Sequence, residues 1–235
     1  MQVLKGAKHE HAENKIRQNK ESAKKYFLIG FFLLIFTVIF PLSLIGSVIA
    51  FAIALVYLQQ NYSWTRGKSG EIKVAATLQQ LDDSYYLLND VVLDPKYGNI
   101  DHIVLGQNGI FVIETKHYNI GVGCNKDEWY LLTHSGKRRI QSISKQAKRN
   151  AITLKDFIER HTVEAGLKSR YLFVNSIIAF VHPELTTKLY KPTVPVLKAY
   201  ELPEFIKNVK TDVRFSDSEL KNYGDIILHH MHKSN

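Results

Sequence analysis

The sequence predicts an α/β domain with a central mixed sheet flanked by helices, preceded by an apolar segment. Three observations lead to this prediction. Residues 26–60 contain no Asp, Glu, Lys or Arg. Residues 61–235 show patterns in the order helix, strands, helix, strand, helices, which is typical of mixed α/β domains. The chain has one cysteine, which excludes an internal disulfide and any multi-cysteine metal site.

Residues 1–25 form a basic, polar segment in front of the apolar run. They contain seven Lys or Arg residues and three Asp or Glu residues. A basic segment beside a membrane can contact anionic lipid headgroups, or it can serve only to set the membrane topology. The sequence leaves both interpretations open.

The run 26–60 predicts a membrane anchor. As one helix it would be about 50 Å long, whereas the hydrocarbon core is about 30 Å thick. Pro41 lies near its middle, where proline breaks or kinks a helix. We therefore expect two short helices, about 26–40 and 42–58, in a tight transmembrane hairpin whose short spans would either thin the bilayer or form homo-oligomers. Basic residues flank both ends, so the N-terminus and residues 61–235 are both expected in the cytoplasm.

Two other interpretations of the apolar run are less consistent with it. A cleaved signal peptide has an apolar stretch of about 7–15 residues near the chain start, whereas this run is longer and 25 residues precede it. A pair of buried core helices would normally carry some charge on an outer face. The lipid bilayer is therefore the expected partner of this segment.

The first elements of the cytoplasmic part, 61–235, are a helix and three strands. Helical spacing of apolar residues predicts a helix over 69–81, and residues 85–93 have strand character. Residues 100–105 and 110–116 are two strands separated by a turn that contains two glycines. This arrangement predicts an antiparallel hairpin.

The later elements alternate between helix and strand. Residues 117–139 suggest one or two short strands, and a helix is expected from about 142 to 161. The almost continuous apolar run 171–181 is typical of a strand buried on both faces. A short strand at 194–197, a helix at 202–209 and a last helix opened by the capping box Ser216-x-x-Glu219 complete the domain.

Charged residues at the end of the predicted hairpin suggest chemistry. Glu114 and Lys116 share one face of their strand because side chains alternate, and the hairpin can bring Asp101 alongside Glu114. Two converging carboxylates are oxygen ligands suited to Mg²⁺, which can activate water for phosphodiester hydrolysis. A nearby lysine can neutralise developing phosphate charge. Charges that keep a strand edge soluble would give the same pattern, so the residues alone leave both interpretations open.

An ordered set of motifs over about 69–180 resembles the nuclease-related domain, or NERD, family. The motifs are Gly70-Glu71-x-x-Val74, Leu88-Asn-Asp-Val91, Asn99-Ile-Asp-His102, Gly106-x-x-Gly109 and Phe111-Val-Ile-Glu-Thr-Lys116. The family is similar to the restriction-endonuclease-like superfamily. The resemblance therefore implies a restriction-endonuclease-like fold and a Mg²⁺-dependent nuclease, with Mn²⁺ as a substitute, that acts on DNA.

The resemblance also implies roles for individual residues. Asp101 and Glu114 would bind the metal and Lys116 would assist catalysis. Glu71 matches the acid of the opening motif and could complete the metal site, although an acid there also complements a helix dipole. Gln146 matches a family glutamine that faces the site, although it could equally be a solvated helix residue.

Six basic residues follow the hairpin and are candidates for phosphate contacts. They are Lys137, Arg138, Arg139, Lys145, Lys148 and Arg149. A solvated helix face is the alternative for such residues. For the whole domain, the alternative to an enzyme is a non-catalytic module that binds nucleic acid or a protein, or a scaffold, tethered at the membrane.

Overall fold

The computed structural model of the chain describes residues 1–6, 10–164, 172–211 and 214–233. The chain divides into two compact units. The helical unit comprises His9–Ser69, and the mixed unit comprises Met1–Lys8 together with Gly70–Asn235.

The helical unit consists of two long helices joined by a short connection. Helix α1 spans Glu10–Ile35 and is followed by a single 3-10 turn at Phe36–Val38. The chain then turns around Pro41, and helix α2 runs over Ser43–Leu78, so that its last part belongs to the mixed unit. Proline has no backbone N–H to donate, which is consistent with a helix break at this point.

Contacts between α1 and α2 hold the helical unit together. The Ser47 hydroxyl donates a hydrogen bond to the Gly30 carbonyl at 2.9 Å. The rings of Tyr26 and Tyr57 stack with centroids 5.8 Å apart. Most large apolar side chains of the run 26–58 nevertheless remain exposed, which means that packing between the two helices does not bury the apolar surface.

The predicted break near Pro41 is present, but the helices on either side do not have the predicted bounds of about 26–40 and 42–58. A hairpin of two membrane spans stays a prediction. Among the described residues only α2 is long and apolar enough to cross a membrane. Helix α1 ends at Ile35 and starts in the charged segment at Glu10, so its apolar part is short. Hydropathy locates the absence of charge, whereas helix ends depend on the backbone, and Lys, Glu and Gln are good helix formers. For the same reason the helix predicted over 69–81 is the continuation of α2.

The described part of the mixed unit contains ten strands in two sheets. In chain order they are β1, Gln2–Lys5; β2, Tyr86–Asp94; β3, Gly98–Gly106; β4, Gly109–Lys116; β5, Val122–Asn125; β6, Glu128–Thr133; β7, Gly136–Ile140; β8, Val174–Phe180; β9, Thr187–Tyr190; and β10, Val196–Lys198. The larger sheet has the order β1-β2-β3-β4-β8-β10 and the smaller one β7-β6-β5-β9. The larger sheet is mixed, because β2, β3 and β4 are antiparallel and the other neighbours are parallel.

Three further helices complete the mixed unit: α3, Ile143–Glu164; α4, Leu202–Asn208; and α5, Asp217–Lys233. One face of the larger sheet packs on α3 and α5, and the other packs on the end of α2 and on α4. The predicted mixed sheet flanked by helices is therefore confirmed. The capping box is confirmed as well, since the Ser216 N–H donates to Glu219 at 2.8 Å and the Glu219 N–H to the Ser216 hydroxyl at 3.3 Å.

Two parts of the sheet arrangement did not follow from the sequence pattern. The region 117–139, where one or two strands were expected, contributes three strands, β5, β6 and β7, to the smaller sheet, and β9 was not predicted. Strands β7 and β9 are largely exposed and lack an apolar alternation that would have indicated them. Residues Gln2–Lys5 form an edge strand that pairs with β2 in parallel. Leu4 packs on the core, and the Lys5 ammonium donates to the Asn89 carbonyl at 2.9 Å. A fragment that starts at residue 61 would therefore lack one strand of the larger sheet.

The β3–β4 hairpin is confirmed, and its register decides which residues meet at its open end. Gly106 pairs with Gly109, so the turn consists of the two residues between them. Leu105 then pairs with Ile110, and the ladder continues to His102 and Ile113.

Gly106 packs so closely against Tyr85 that there is no room for a side chain at this position. A Cβ atom there would lie 2.4 Å from Cε1 of the buried Tyr85 ring. We expect Gly106→Ala to lower the free energy of unfolding by about 1–3 kcal/mol, because the ring must move within a packed core. Thermal denaturation in detergent would measure this against Gly6→Ala, where a Cβ would meet nothing within 4 Å. Equal stability of Gly106→Ala and wild type would contradict the expectation.

Candidate active site

Asp101 and Glu114 lie at the open end of the β3–β4 hairpin. The last paired residues of β3 and β4 are His102 and Ile113, and Asp101 and Glu114 are the next residues along the two strands. Residues opposite each other in antiparallel strands point to the same face. The Asp101 Oδ2 atom accepts a hydrogen bond from the backbone N–H of Thr115 at 2.7 Å. This bond fixes the Asp101 carboxylate beside the segment that contains Glu114.

Glu114 is a buried carboxylate with a partner for each oxygen. Its side chain is 1% exposed. Oε1 accepts a hydrogen bond from the Lys116 ammonium, and Oε2 accepts one from Nδ2 of Asn150 at 3.3 Å. Lys116 also donates to Oε1 of Gln146 at 3.3 Å. Burial of a charge is tolerated when the charge is paired and hydrogen-bonded, and both conditions are met here.

Helix α3 supplies the polar groups that hold this pair. Gln146 and Asn150 are four residues apart in one helix, so they lie on the same face. Gln146 contacts Lys116 and Asn150 contacts Glu114. The family resemblance implied that Gln146 faces the site, with a solvated helix residue as the alternative; in the structure its side chain contacts Lys116. Asn150 was missed, although its spacing from Gln146 was a signal that could have indicated it.

Glu71 reaches the site from helix α2. A Cβ atom on the preceding Gly70 would lie 3.1 Å from Cβ of His117 and 3.2 Å from Cγ2 of Val181. Gly70 therefore allows α2 to approach closely the segments that follow β4 and β8. At this position Glu71 interacts electrostatically with Glu114 and Lys116.

The three carboxyl groups share more negative charge than Lys116 can neutralise. Burial, followed by repulsion from Asp90 and Glu114, raises the pKa of Glu71 to about 7. Burial and repulsion from Glu114 and Glu71 raise the pKa of Asp101 well above its ordinary value. Burial alone would lower the pKa of Lys116, but the carboxylates of Glu114 and Asp101 raise it overall. Such a cluster favours the binding of protons or of a cation.

The donor set fits a hard divalent cation held by few protein ligands. Among the residues that the structure describes, no group of three or more His, Cys, Asp or Glu side chains could hold a metal ion. Mg²⁺ usually takes one or two carboxylates and completes its shell with water and substrate phosphate oxygens. Asp101 and Glu114 offer carboxylate oxygens of this kind in a region of excess negative charge.

Asp90 and His102 lie around the site in structural roles. Asp90 has a left-handed φ of 53° on β2, and its Oδ1 accepts a hydrogen bond from Asn99 at 2.9 Å. Its contribution to the pKa of Glu71 was missed, although Asp90 belongs to one of the motifs noted in the sequence. Nδ1 of the buried His102 lies 2.7 Å from Oδ1 of Asn89, on the opposite face from Asp101.

The six basic residues divide between two elements. Lys137, Arg138 and Arg139 lie on β7, at the edge of the smaller sheet. Lys145, Lys148 and Arg149 lie on α3, the helix that also carries Gln146 and Asn150. The α3 residues are thus adjacent in sequence to the groups that contact Glu114 and Lys116, whereas the β7 residues belong to a separate sheet.

Some of these basic side chains already have acidic partners. The Lys148 ammonium lies 2.9 Å from both carboxylate oxygens of Asp127. Arg139 pairs with Glu128 at 3.2 Å. On α3, Lys145 and Arg149 make no salt bridge with any carboxylate among the described residues, so their charge is the more available to phosphate.

Comparison with known proteins agrees with these motifs. The family model described as nuclease-related domain matches residues 66–181. An uncharacterized protein of Bacillus anthracis is 47% identical over 57 residues, which are 23% of this chain and 27% of that protein. The match therefore spans about a quarter of the relative's length. No solved structure matches the chain. Residues 66–181 are a nuclease-related domain of the NERD family, as the ordered motifs predicted.

Proposed function

We propose that this chain is a membrane-anchored, Mg²⁺-dependent nuclease of restriction-endonuclease-like fold that hydrolyses phosphodiester bonds of DNA. The observation that carries the proposal is the convergence of Asp101, Glu114 and Lys116 at the open end of the β3–β4 hairpin. Their place within a nuclease-related domain supports it.

Each residue has a distinct part in the proposed reaction. Asp101 and Glu114 would hold Mg²⁺ or Mn²⁺, with Glu71 nearby; the bound ion supplies a polarised phosphoryl oxygen and a more acidic water. Lys116 keeps its charge because its pKa is raised, and it stabilises negative charge that develops on the phosphate. Gln146 and Asn150 orient Lys116 and Glu114 before the substrate arrives.

The direct experiment is a cleavage assay with the full chain in detergent or nanodiscs. Single- and double-stranded DNA and RNA are incubated with Mg²⁺, with Mn²⁺ and with EDTA. We expect cleavage of DNA with either metal and none with EDTA. Absence of cleavage of every substrate with both metals, under conditions where the protein is folded, would refute the proposal.

The alternative function is a non-catalytic module that binds nucleic acid or a protein at the membrane. One observation favours it: among the described residues, no three or more His, Cys, Asp or Glu side chains are arranged so that together they could hold a metal ion. Binding of nucleic acid without cleavage in the same assay would support this alternative.

The pH dependence provides a second test of the site. Metal binding needs ionised carboxylates, and the pKa of Glu71 is raised from 4.5 to about 7. We expect cleavage at limiting Mg²⁺ to increase as the pH rises through about 7. Glu71→Gln removes a neighbouring negative charge, so the pKa of Asp101 falls and the midpoint of the profile moves to lower pH. Identical profiles for Glu71→Gln and wild type would contradict this assignment.

The metal-free protein should show the opposite trend in stability. A carboxyl whose pKa is raised on folding keeps its proton when the unfolded chain has lost it. The free energy of unfolding therefore falls as the pH rises from about 4.5 to about 7, the ordinary and the raised values for Glu71. Chemical denaturation in EDTA across this range measures the trend, and it should be weaker in Glu71→Gln.

We also propose that the helical unit attaches the chain to the bilayer from the cytoplasmic side. The apolar, exposed side chains of α2 support membrane insertion. The pairing of Gln2–Lys5 with β2 in one sheet supports a topology in which the segments before α1 and after α2 lie on the same side of the membrane. The chain would then enter the bilayer and leave it on that side. We propose that the helical unit also forms the contact surface for homo-oligomers.

Alkaline carbonate extraction and protease protection would test this attachment. The chain should remain in the membrane pellet, and tags at both termini should be digested only after the cytoplasmic side is opened. Release by carbonate, or tags on opposite sides, would contradict the proposal.

A further inference from the structure

An open groove of about 420 Å³ lies between α3 and the turn that joins β2 to β3. Its lining includes Tyr97 from the turn and Lys145, Arg149, Ile152 and Asp156 from α3. The groove thus combines an aromatic ring, an apolar side chain, one carboxylate and three cations, of which Lys148 is already paired with Asp127.

Tyr97 presents a partly exposed ring with two cations near it. Its side chain is 39% exposed. The Arg149 guanidinium lies 5.6 Å and the Lys96 ammonium 5.4 Å from the ring centroid. Arg149 also donates a hydrogen bond to the Tyr97 carbonyl at 3.4 Å, which holds the guanidinium next to the ring. Aromatic rings flanked by cations are the elements with which proteins bind unpaired bases and their phosphates.

Two elements, α3 and the segment that leads into β3, connect the groove to the candidate active site. On α3, Lys145 and Arg149 directly precede Gln146 and Asn150, which contact Lys116 and Glu114. Along the other element, Tyr97 precedes Asp101 by four residues, a distance of at most about 13 Å in an extended strand. A base on Tyr97 would therefore lie within a few nucleotides of a phosphate at Asp101.

We propose that this groove binds single-stranded nucleic acid, with one unpaired base stacked on Tyr97 and the adjacent phosphates at Lys145 and Arg149. A base can stack on Tyr97 only if one of its faces is free, and both faces of a base inside a duplex are covered by its neighbours. The inference rests on the proposed nuclease function and specifies its substrate as a single strand or an unpaired end.

The test is a binding measurement in EDTA, where the metal needed for the proposed cleavage is removed. Fluorescence anisotropy is recorded for the full chain in nanodiscs with a fluorescein-labelled oligothymidylate and with a blunt duplex. We expect Tyr97→Ala to weaken oligothymidylate binding by about 5-fold or more. Tyr97→Phe keeps the ring and should bind as wild type does. Tyr200→Ala removes a tyrosine that is 64% exposed and does not line the groove, so it serves as the matched control.

The outcomes separate this inference from the proposed function. Unchanged oligothymidylate binding by Tyr97→Ala, an equal loss of duplex binding, or no binding by wild type would overturn the inference. Binding that depends on Tyr97 without any cleavage in Mg²⁺ would retain the inference and refute the nuclease. Cleavage in Mg²⁺ together with oligothymidylate binding that does not change in Tyr97→Ala would support the nuclease and overturn the inference.

Discussion

Replacing Glu114 by glutamine is expected to reduce DNA cleavage by about 100-fold or more. The change keeps the size of the side chain and an oxygen that can accept the Asn150 hydrogen bond, but it removes the negative charge. Loss of one preorganised charged or polar group in an active site typically costs about 10²–10³-fold in rate. The same change should weaken Mn²⁺ binding, which calorimetry can measure without any substrate.

Glu128→Gln is the matched control for Glu114→Gln. Glu128 is also a strand glutamate paired with a basic residue, but its side chain is 65% exposed and its partner is Arg139 at 3.2 Å. Exposed pairs of this kind contribute little, so cleavage and Mn²⁺ binding should match wild type. Wild-type cleavage by Glu114→Gln, with its fold verified by circular dichroism, would remove Glu114 from the proposed site.

Lys116→Met is expected to abolish cleavage and also to destabilise the metal-free protein. Lys116 neutralises Glu114, which is almost completely buried. Removing one partner of a buried ion pair leaves the other charge uncompensated and typically costs about 3–5 kcal/mol. Chemical denaturation in EDTA would measure this loss. Addition of Mg²⁺ should restore part of it if the ion binds the carboxylates.

The double variant Lys116→Met/Glu114→Gln distinguishes the loss of the ion pair from a general packing defect. Glutamine at 114 carries no charge that needs Lys116, so the double variant should be more stable than Lys116→Met alone. It should remain inactive, since both proposed catalytic groups are absent. A double variant that is less stable than either single variant by the sum of their losses would show that the two residues are not coupled.

The open end of the hairpin shows how much of the site is encoded locally. Strand alternation correctly placed Glu114 and Lys116 on one face, and the two glycines of the turn correctly indicated a hairpin with Asp101 on the partner strand. These relations involve residues close in the chain, whose geometry depends on the strand period alone. Gln146 was indicated only by family resemblance, because nothing in a helix pattern states which strand end it will contact.

The helical unit shows the limit of hydropathy. The charge-free run correctly located α2 as apolar, but it indicated neither that α1 begins at Glu10 nor that α2 continues to Leu78. Helix ends depend on backbone hydrogen bonding and on good helix formers in polar segments. Absence of charge carries no information about either.

The apolar segment, the β3–β4 hairpin, the capping box at Ser216 and the nuclease-related motifs can all be recognised in the sequence. All of these depend on local spacing or on residue identity. The contact between Lys5 and Asn89, 84 residues apart, and the contacts of Asn150 with Glu114 and of Arg149 with Tyr97 follow only from the tertiary fold. Local periodicity specifies which face of an element is buried. The distant element that covers that face is selected by packing of the whole chain, since many pairings satisfy the same local pattern.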